Sequence, residues 1–188
     1  MRSIFSIHAG EYITGDFIEH KLKDNANRKL NVWIPSKDTG VDLLITNQSN
    51  SKMVTIQVKF SKDYTGMISE EFQSMQACGW WVLDLNRIRD DSKADYWVLV
   101  INHKTLDIKK VRFVIIEPSE LYKRLKNIHN NTKKVHSYLW VTSDEYCWET
   151  RGLKKQDKHN IQDKIFNNND RNFTKYLSNW NPIIKKLS

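Results

Sequence analysis

Cysteine is scarce in this chain of 188 residues, which contains only Cys78 and Cys147. The two cysteines do not form a CxxC pair, so the sequence predicts neither a zinc ribbon nor a disulfide framework. Free thiols are typical of proteins in a reducing compartment, and we therefore expect a cytoplasmic location.

Long apolar runs are also missing. The amino-terminal stretch MRSIFSIHAGEYITGDFIEH lacks the apolar core of about 7–15 residues that a signal peptide needs. No run in the sequence approaches the roughly 20 apolar residues of a membrane span. We expect a protein with no membrane partner.

Linkers, repeats and low-complexity segments are missing too, and no interior change of composition marks a domain boundary. The expectation is a single domain over residues 1–188, with a catalytic core at about 8–118 and a C-terminal helical and basic extension at about 119–188. The content of 39% hydrophobic and 28% charged residues is in the normal globular range, which leaves enough apolar material for a core.

Basic residues are in excess, with 30 Lys and Arg against 22 Asp and Glu, a net charge of +8. Such a balance is expected of a protein that binds phosphates, although many basic proteins bind no nucleic acid. One stretch, CWETRGLKKQDKH, concentrates cations without an apolar face: Arg151, Lys154, Lys155 and Lys158. These side chains either clamp a DNA backbone or belong to a solvated loop, and the sequence leaves both open.

Hydrophobic periodicity predicts a mixed α/β fold. Residues 10–23 have helical spacing, and LNVWIPSKDTG, VDLLITN and MVTIQVKFS have the character of strands. The segment MISEEFQSMQACGW predicts a helix that ends at Gly79, followed by strands in WWVLDL, ADYWVLVIN and VRFVIIEP and a helix in SELYKRLKNIH. A short strand within SYLWVTSDEYCWETRGL and short helices in HNIQDKIFNN and RNFTKYLSNW complete the pattern. The fold class is therefore α/β, a central mixed sheet flanked by helices.

Three polar residues interrupt neighbouring apolar strands. Asp42 lies in VDLLI, 15 residues before Gln57, and Lys59 follows Gln57 by two positions. Alternate residues of a strand share a face, so Gln57 and Lys59 point the same way. An antiparallel pairing through the loop NQSNSK would bring Asp42 within reach of both, and carboxylate and amide oxygens are ligands suited to Mg²⁺. A cross-strand ion pair between Asp42 and Lys59 is the alternative interpretation.

The stretch GVDLLI followed by IQVKFS resembles the PD-(D/E)XK nuclease superfamily, in its QxK variant. The short PD element would fall at IPSKDTGVD, where Pro35 stands seven residues ahead of Asp42 rather than beside it. The resemblance implies a restriction-endonuclease-like core with Asp42 as the main metal ligand, Gln57 in the position usually held by Asp or Glu, and Lys59 as the catalytic lysine. It also implies Mg²⁺, with Mn²⁺ as a substitute, as the cofactor.

Many relatives of that superfamily add a glutamate from the first helix to the metal site. Glu11 is the preferred match here and Glu19 the second. An acidic residue near a helix N-terminus is also favourable to the helix dipole, so Glu11 has a structural alternative.

The resulting expectation is a metal-dependent endonuclease that hydrolyses double-stranded DNA, a type II-like restriction enzyme acting as a homodimer. Cutting both strands with one site in each chain is naturally done by two chains related by a two-fold axis. A Holliday-junction resolvase or repair nuclease of the same fold is the first alternative. A non-catalytic DNA-binding module, or a subunit of a larger complex, is the second.

Overall fold

The computed structural model describes residues 3–37, 40–61, 64, 72–89, 92–102, 111–130 and 132–188, with side chains from His8 onward. Along the described part of the chain the helices and strands are α1 (Ser3–Lys21), β1 (Asn31–Trp33), β2 (Leu43–Thr46), β3 (Met53–Ser61), β4 (Met75–Asp84), α2 (Leu85–Arg89), β5 (Tyr96–Ile101), β6 (Arg112–Ile116), α3 (Pro118–His129), β7 (Lys134–Thr142), β8 (Cys147–Glu149), α4 (Lys155–Gln162) and α5 (Asn181–Leu187). A 3-10 turn at Thr174–Tyr176 precedes α5.

The central sheet has five strands in the order β1-β2-β3-β5-β6. Strands β3 and β5 are parallel, and the other neighbours are antiparallel. The mixed central sheet confirms the coarse fold class. Leu43 pairs with Ile56, so the register continues to place Asp42 opposite Gln57.

One face of this sheet is covered by helices α1 and α5. Its buried residues include Ile18 of α1, Ile56 and Val58 of β3, and Ile183 of α5. Helix α1 approaches β3 so closely that a Cβ atom on Gly10 would lie 2.6 Å from the Cβ atom of Phe60. Only glycine allows this distance, since it has no side chain to collide with the strand.

A second sheet, in the order β4-β7-β8, packs with α2 and α3 on the opposite face. The buried cluster between the two layers takes Trp97 and Leu99 from β5, Trp81 from β4 and Leu139 from β7. Among the described residues, none of the buried members of this cluster comes from β1, β2 or β3. The second layer therefore covers the β5–β6 half of the face.

The helix predicted over residues 67–79 is wrong where the structure describes it. Met75–Asp84 is strand β4, paired with β7 from Met75 opposite Thr142 to Asp84 opposite Lys134; the predicted residues 67–71 lie outside the described part of the chain. Apolar residues lie on both faces of β4, so the sequence lacks the alternation of apolar and polar residues that would have predicted a strand. Pairing with a distant segment overrode the local pattern.

The C-terminal part of the chain packs in both hydrophobic clusters, on both faces of the central sheet. Residues 119–188 supply most of α3, strands β7 and β8, and helix α5 to the two hydrophobic clusters. The short strand expected here is in fact two, and RNFTKYLSNW contains a 3-10 turn instead of an α-helix. Among the described helices, none combines the length and apolar character that crossing a bilayer requires.

Candidate active site

Asp42 and Gln57 meet directly across strands β2 and β3. The Asp42 backbone N–H donates to the Ile56 carbonyl at 2.9 Å, which extends the ladder one residue beyond β2. The Asp42 Oδ2 atom accepts hydrogen bonds from the Gln57 Nε2 amide and from the Val58 backbone N–H, the latter at 2.7 Å. These contacts fix the carboxylate against a buried amide that is only 8% exposed.

Lys59 lies on the same face of β3 as Gln57, two residues further along. Its Nζ atom is 5.6 Å from the centroid of the Trp97 ring on β5. Within the described part of the chain, Lys59 forms no ion pair with a carboxylate, so the structure does not show the cross-strand pair with Asp42. The ammonium charge is held over an indole on the face that carries Asp42 and Gln57.

This part of the sheet face is less covered than its β5–β6 half. Trp33 of β1 is 50% exposed and stands opposite Leu44 of β2, which is half-buried. Asp42 and Lys59 are half-buried as well. Strand β4 borders the region at the end of β3, where the Trp81 indole donates to the Lys59 carbonyl at 3.0 Å. We refer to this partly exposed region of the sheet face, which carries the Asp42–Gln57 pair, as the candidate cleft.

Glu11 is placed elsewhere. It lies on α1, which packs on the opposite face of the sheet, and its side chain is 16% exposed. The Glu11 carboxylate is 3.2 Å from Nδ1 of His8, and among the described contacts none joins it to Asp42, Gln57 or Lys59. Glu19 is exposed on the same helix. Of the four residues predicted for catalysis, the structure therefore brings three onto one face.

A further carboxylate, Asp95, borders the same strands just before β5. Thr55 donates to Asp95 Oδ2 from its backbone N–H at 2.8 Å and from its hydroxyl at 2.9 Å, and Lys186 Nζ is 3.3 Å from Oδ1. Burial alone would raise the pKa of Asp95, but these hydrogen bonds and the Lys186 charge outweigh burial and hold the pKa below its ordinary value. Asp95 braces β3 against β5.

The predicted basic cluster lies on the second sheet. The Arg151 guanidinium is 5.7 Å from the Tyr138 ring centroid, and Lys158 Nζ is 5.4 Å from that of Trp140. Lys154 and Lys155 are exposed at the start of α4. Tyr138 also stacks with Trp80. The cluster thus adjoins a row of aromatic rings rather than the Asp42 cleft.

The donor set at Asp42 fits a weakly held hard cation. One carboxylate and one amide oxygen suit Mg²⁺, which is usually held by one or two carboxylates and retains several waters. No group of three or more His, Cys, Asp and Glu side chains that could hold a metal occurs among the residues that the structure describes. A site at Asp42 and Gln57 would rely on an amide and on substrate oxygens to complete its ligands.

Trp33 is an exposed aromatic residue on the same face of the sheet, and sequence reasoning missed its exposure. An aromatic residue in a strand pattern is usually assigned to the core, and only the sheet order shows that β1 is an edge strand.

No protein-family model, curated protein or solved structure matches this chain.

Proposed function

We propose that the chain is a metal-dependent DNA endonuclease with a restriction-endonuclease-like core. The observation that carries this proposal is the facing pair of Asp42 and Gln57 on the sheet face that also presents Lys59. A carboxylate and an amide held together beside an ammonium group are the components needed to bind a cation and a phosphate. The spacing of these residues in the sequence is also that of the nuclease motif it resembles.

Each residue has a distinct part in the proposed reaction. Asp42 and the Gln57 Oε1 atom would hold Mg²⁺, which when bound supplies charge that polarises a phosphoryl oxygen. The hydrogen bond from Val58 N–H holds the Asp42 carboxylate against β3. Lys59 donates either to a phosphate oxygen, which positions the phosphate, or to the attacking water, which orients the nucleophile in line with the leaving oxygen. The Trp97 ring, 5.6 Å from the ammonium, keeps Lys59 on this face of the sheet.

Double-stranded DNA is the proposed partner. The net charge of +8 favours a polyanion, and Arg151 and Lys158 sit on a second surface that could bind the DNA backbone. Contacts of this kind position the nucleic acid without reading its sequence. A type II-like restriction role requires two chains on one duplex, so the proposal includes a homodimer. Light scattering after gel filtration that finds only monomers, with and without DNA, would contradict that part.

A non-catalytic DNA-binding module is the second candidate. It is favoured by the amide of Gln57, whose nitrogen already donates to Asp42 and whose oxygen carries no charge. A cation held by one carboxylate is bound less tightly than one held by two.

Cleavage assays on plasmid and phage DNA, modified and unmodified, separate these candidates. The wild type, Asp42→Asn and Lys59→Met are each incubated with Mg²⁺, Mn²⁺ or EDTA. We expect discrete fragments that need metal, with rates at least a hundredfold lower in both variants. Fragment ends and a branched substrate distinguish restriction from junction or repair cleavage.

Lys52→Met is the matched control, because Lys52 is exposed in the loop before β3, away from the cleft. It should cleave like the wild type. If the wild type binds DNA but leaves every substrate intact with either metal, the nuclease proposal is wrong and the binding module replaces it.

A further inference from the structure

The second sheet turns one of its faces away from the central sheet. Val135 and Leu139 of β7 are buried in the cluster between the two layers. Because alternate residues of a strand point to opposite faces, His136 and Tyr138 lie on the outer face of β7. Trp80 stands directly opposite Tyr138 on β4 and shares that face. The sheet therefore carries three aromatic rings on the side turned away from the central sheet.

These rings form a row of nearly parallel planes. Trp80 stacks with Tyr138 at a centroid distance of 6.1 Å and with His136 at 5.7 Å, and the ring planes are inclined by 20° and 21°. Tyr64 meets Trp80 edge-on at 5.3 Å. Trp80 and Tyr138 are partly buried, whereas His136 is exposed and Val82, which stands opposite it, is 50% exposed. The exposed member of the row is therefore the imidazole of His136.

Positive charge borders the row. The Arg151 guanidinium is 5.7 Å from the centroid of Tyr138, and Lys158 reaches the same face from α4. Lys134, four residues before Tyr138 on β7, is exposed on this face as well. Asp84, opposite Lys134 in the register, is a carboxylate that shares the face. The cations named here outnumber it, so an anionic ligand is favoured.

The backbone that carries Arg151 is anchored from the protein interior. Glu149 is fully buried, and its Oε1 atom accepts a hydrogen bond from the Arg151 backbone N–H at 3.2 Å. Arg171 Nη1 donates to Glu149 Oε2 at 2.7 Å and to the Arg151 carbonyl at 2.9 Å. The chain at Arg151 is thus fixed beside Tyr138, and little of it has to be ordered when a ligand binds.

This arrangement matches the chemistry of single-stranded nucleic acid. Proteins that bind single strands combine a positively charged surface with aromatic side chains on which bases stack, and such stacking tolerates any base. Bases in a duplex are paired and stacked inside the helix, so a duplex would contact the cations and leave the rings unused. An acidic peptide would also use the charges alone. Of these polyanions, the single strand is the one that uses both features.

We propose that the outer face of the second sheet binds single-stranded nucleic acid, with a base stacked on the exposed His136 ring and the backbone held by Lys134 and Arg151. The proposal goes beyond the nuclease function, because it concerns other residues and would hold for a chain that cuts no DNA. It also assigns the cations of this surface to a single strand in preference to a duplex backbone. The two proposals can therefore fail separately.

Fluorescence polarisation in EDTA tests binding apart from catalysis. Fluorescein-labelled oligo-dT, oligo-rU and a blunt DNA duplex of equal length are titrated with the wild type, His136→Ala, His136→Phe and His20→Ala. His20 is the matched control, since it is an exposed histidine on α1. We expect His136→Ala to weaken binding of the single strands about tenfold, the effect of losing one base stack. His136→Phe should retain most of the affinity, and His20→Ala and all duplex affinities should be unchanged.

The histidine ring resonances in the proton NMR spectrum are the second measurement. Oligo-dT should shift the Cε1–H resonance of His136, which is identified by its absence from the spectrum of His136→Ala. The resonance of His20, identified in the same way, should stay in place. This readout follows the wild-type protein itself and locates the bound strand.

Several results would overturn the inference. Equal affinity of the wild type and His136→Ala for both single strands is one, and tighter binding of the duplex than of either single strand by the wild type is another. A change of oligomeric state in His136→Ala, detected by light scattering, would instead identify the row as an interface between copies and overturn it too. If the wild type binds neither single strand, the inference fails, while metal-dependent cleavage of duplex DNA by the same preparation would leave the nuclease proposal standing.

Discussion

Among the described contacts, one carboxylate oxygen of Asp42 accepts a hydrogen bond from the Gln57 amide and one from the Val58 N–H, and both donors belong to β3. The Val58 N–H holds the carboxylate to the strand, and the Gln57 side chain that donates to it is buried. A neutral amide in this position donates to the carboxylate, so the two side chains approach each other without like-charge repulsion. Two carboxylates at the same spacing would repel each other unless a cation lay between them.

Gln57→Glu is therefore expected to make the stability of the protein depend on divalent cations. In EDTA the charges of Asp42 and of the introduced carboxylate should lower the melting temperature, because like charges directly opposite on adjacent strands are destabilising. Mg²⁺ should restore the melting temperature of this variant and have a smaller effect on the wild type. Differential scanning calorimetry with and without Mg²⁺ measures both effects, and cleavage should saturate at a lower Mg²⁺ concentration.

The same substitution in an Asp42→Asn background is the control. With only one carboxylate at the pair, the repulsion is removed, so EDTA should cost the double variant less stability than it costs Gln57→Glu. A Gln57→Glu protein that is indifferent to Mg²⁺ in both stability and cleavage would count against a cation at this pair.

At the scale of elements, the contact between α1 and β3 depends on the missing side chain of Gly10. The prediction is that Gly10→Ala costs about 1–3 kcal/mol in the free energy of unfolding, because its Cβ would collide with Phe60 close to the strand backbone. Urea denaturation measures the loss. Gly15→Ala is the matched control on the same helix, since its Cβ would meet Val32 Cγ1 at an ordinary 3.6 Å. Alanine is the better helix former, so this control should gain up to about 1 kcal/mol.

A second junction between elements joins α3 to the 3-10 turn. Glu120 accepts hydrogen bonds from the Tyr176 hydroxyl at 2.7 Å and from Arg124 Nε at 2.8 Å. Arg124 also donates to the backbone carbonyls of Asn169, Asp170 and Asn172. Burial alone would raise the pKa of Glu120, but these donors, with the charges of Arg124 and Lys175, outweigh burial and lower it.

This lowered pKa predicts a specific loss of stability in acid. A carboxyl group whose pKa is lower in the folded protein stabilises it fully above the unfolded value of 4.5, and the contribution disappears as the pH falls through the folded value. Glu120→Gln should therefore be less stable than the wild type by about 1 kcal/mol at pH 7, and the difference should shrink below pH 4.5. Urea unfolding from pH 7 to pH 3 measures it.

In an Arg124→Met background the Glu120→Gln difference should be much reduced at every pH, because the main cation is gone. A difference that stayed constant down to pH 3 would show that the Glu120 charge does not contribute.

At the scale of the whole molecule, each face of the central sheet is covered, at least in part, by segments that are distant in the chain. Helix α5 joins α1 on one face, and β7 and β8 complete the second sheet on the other. The candidate cleft lies where this covering is incomplete, over β1 to β3. The excess of positive charge is partly gathered on the second sheet, at Arg151 and Lys158.

DNA binding should therefore weaken steeply with salt, and Arg151 should account for part of the slope. Each phosphate contact adds about one counterion to the dependence of log K on log salt concentration. Arg151→Gln is expected to reduce the magnitude of that slope by about one. Lys52→Gln removes the same charge from an exposed loop remote from Tyr138 and should leave the slope nearly unchanged. Fluorescence polarisation at several salt concentrations gives both slopes. Equal slopes for the two variants would mean that Arg151 contributes only through the net charge of the protein and does not contact a phosphate.

The hydrophobic periodicity of individual segments was sufficient to predict many of the helices and strands. Helices α1 and α3 and strands β2, β3, β5 and β6 lie in the segments where periodicity predicted them. The meeting of Asp42 with Gln57 was also predictable, because a short loop between two strands forces an antiparallel pairing and alternation then assigns the face. In each case the residues that decide the structure are close in the sequence.

Other features were decided only by the tertiary structure. Met75–Asp84 is a strand because β7, about 60 residues later, pairs with it along its length. Glu11 lies on the helix that packs on the face opposite Gln57 and Lys59, and Trp33 is exposed because β1 is the edge of the sheet. These outcomes depend on contacts between residues far apart in the chain, whereas periodicity reports only which face a residue occupies within its own element.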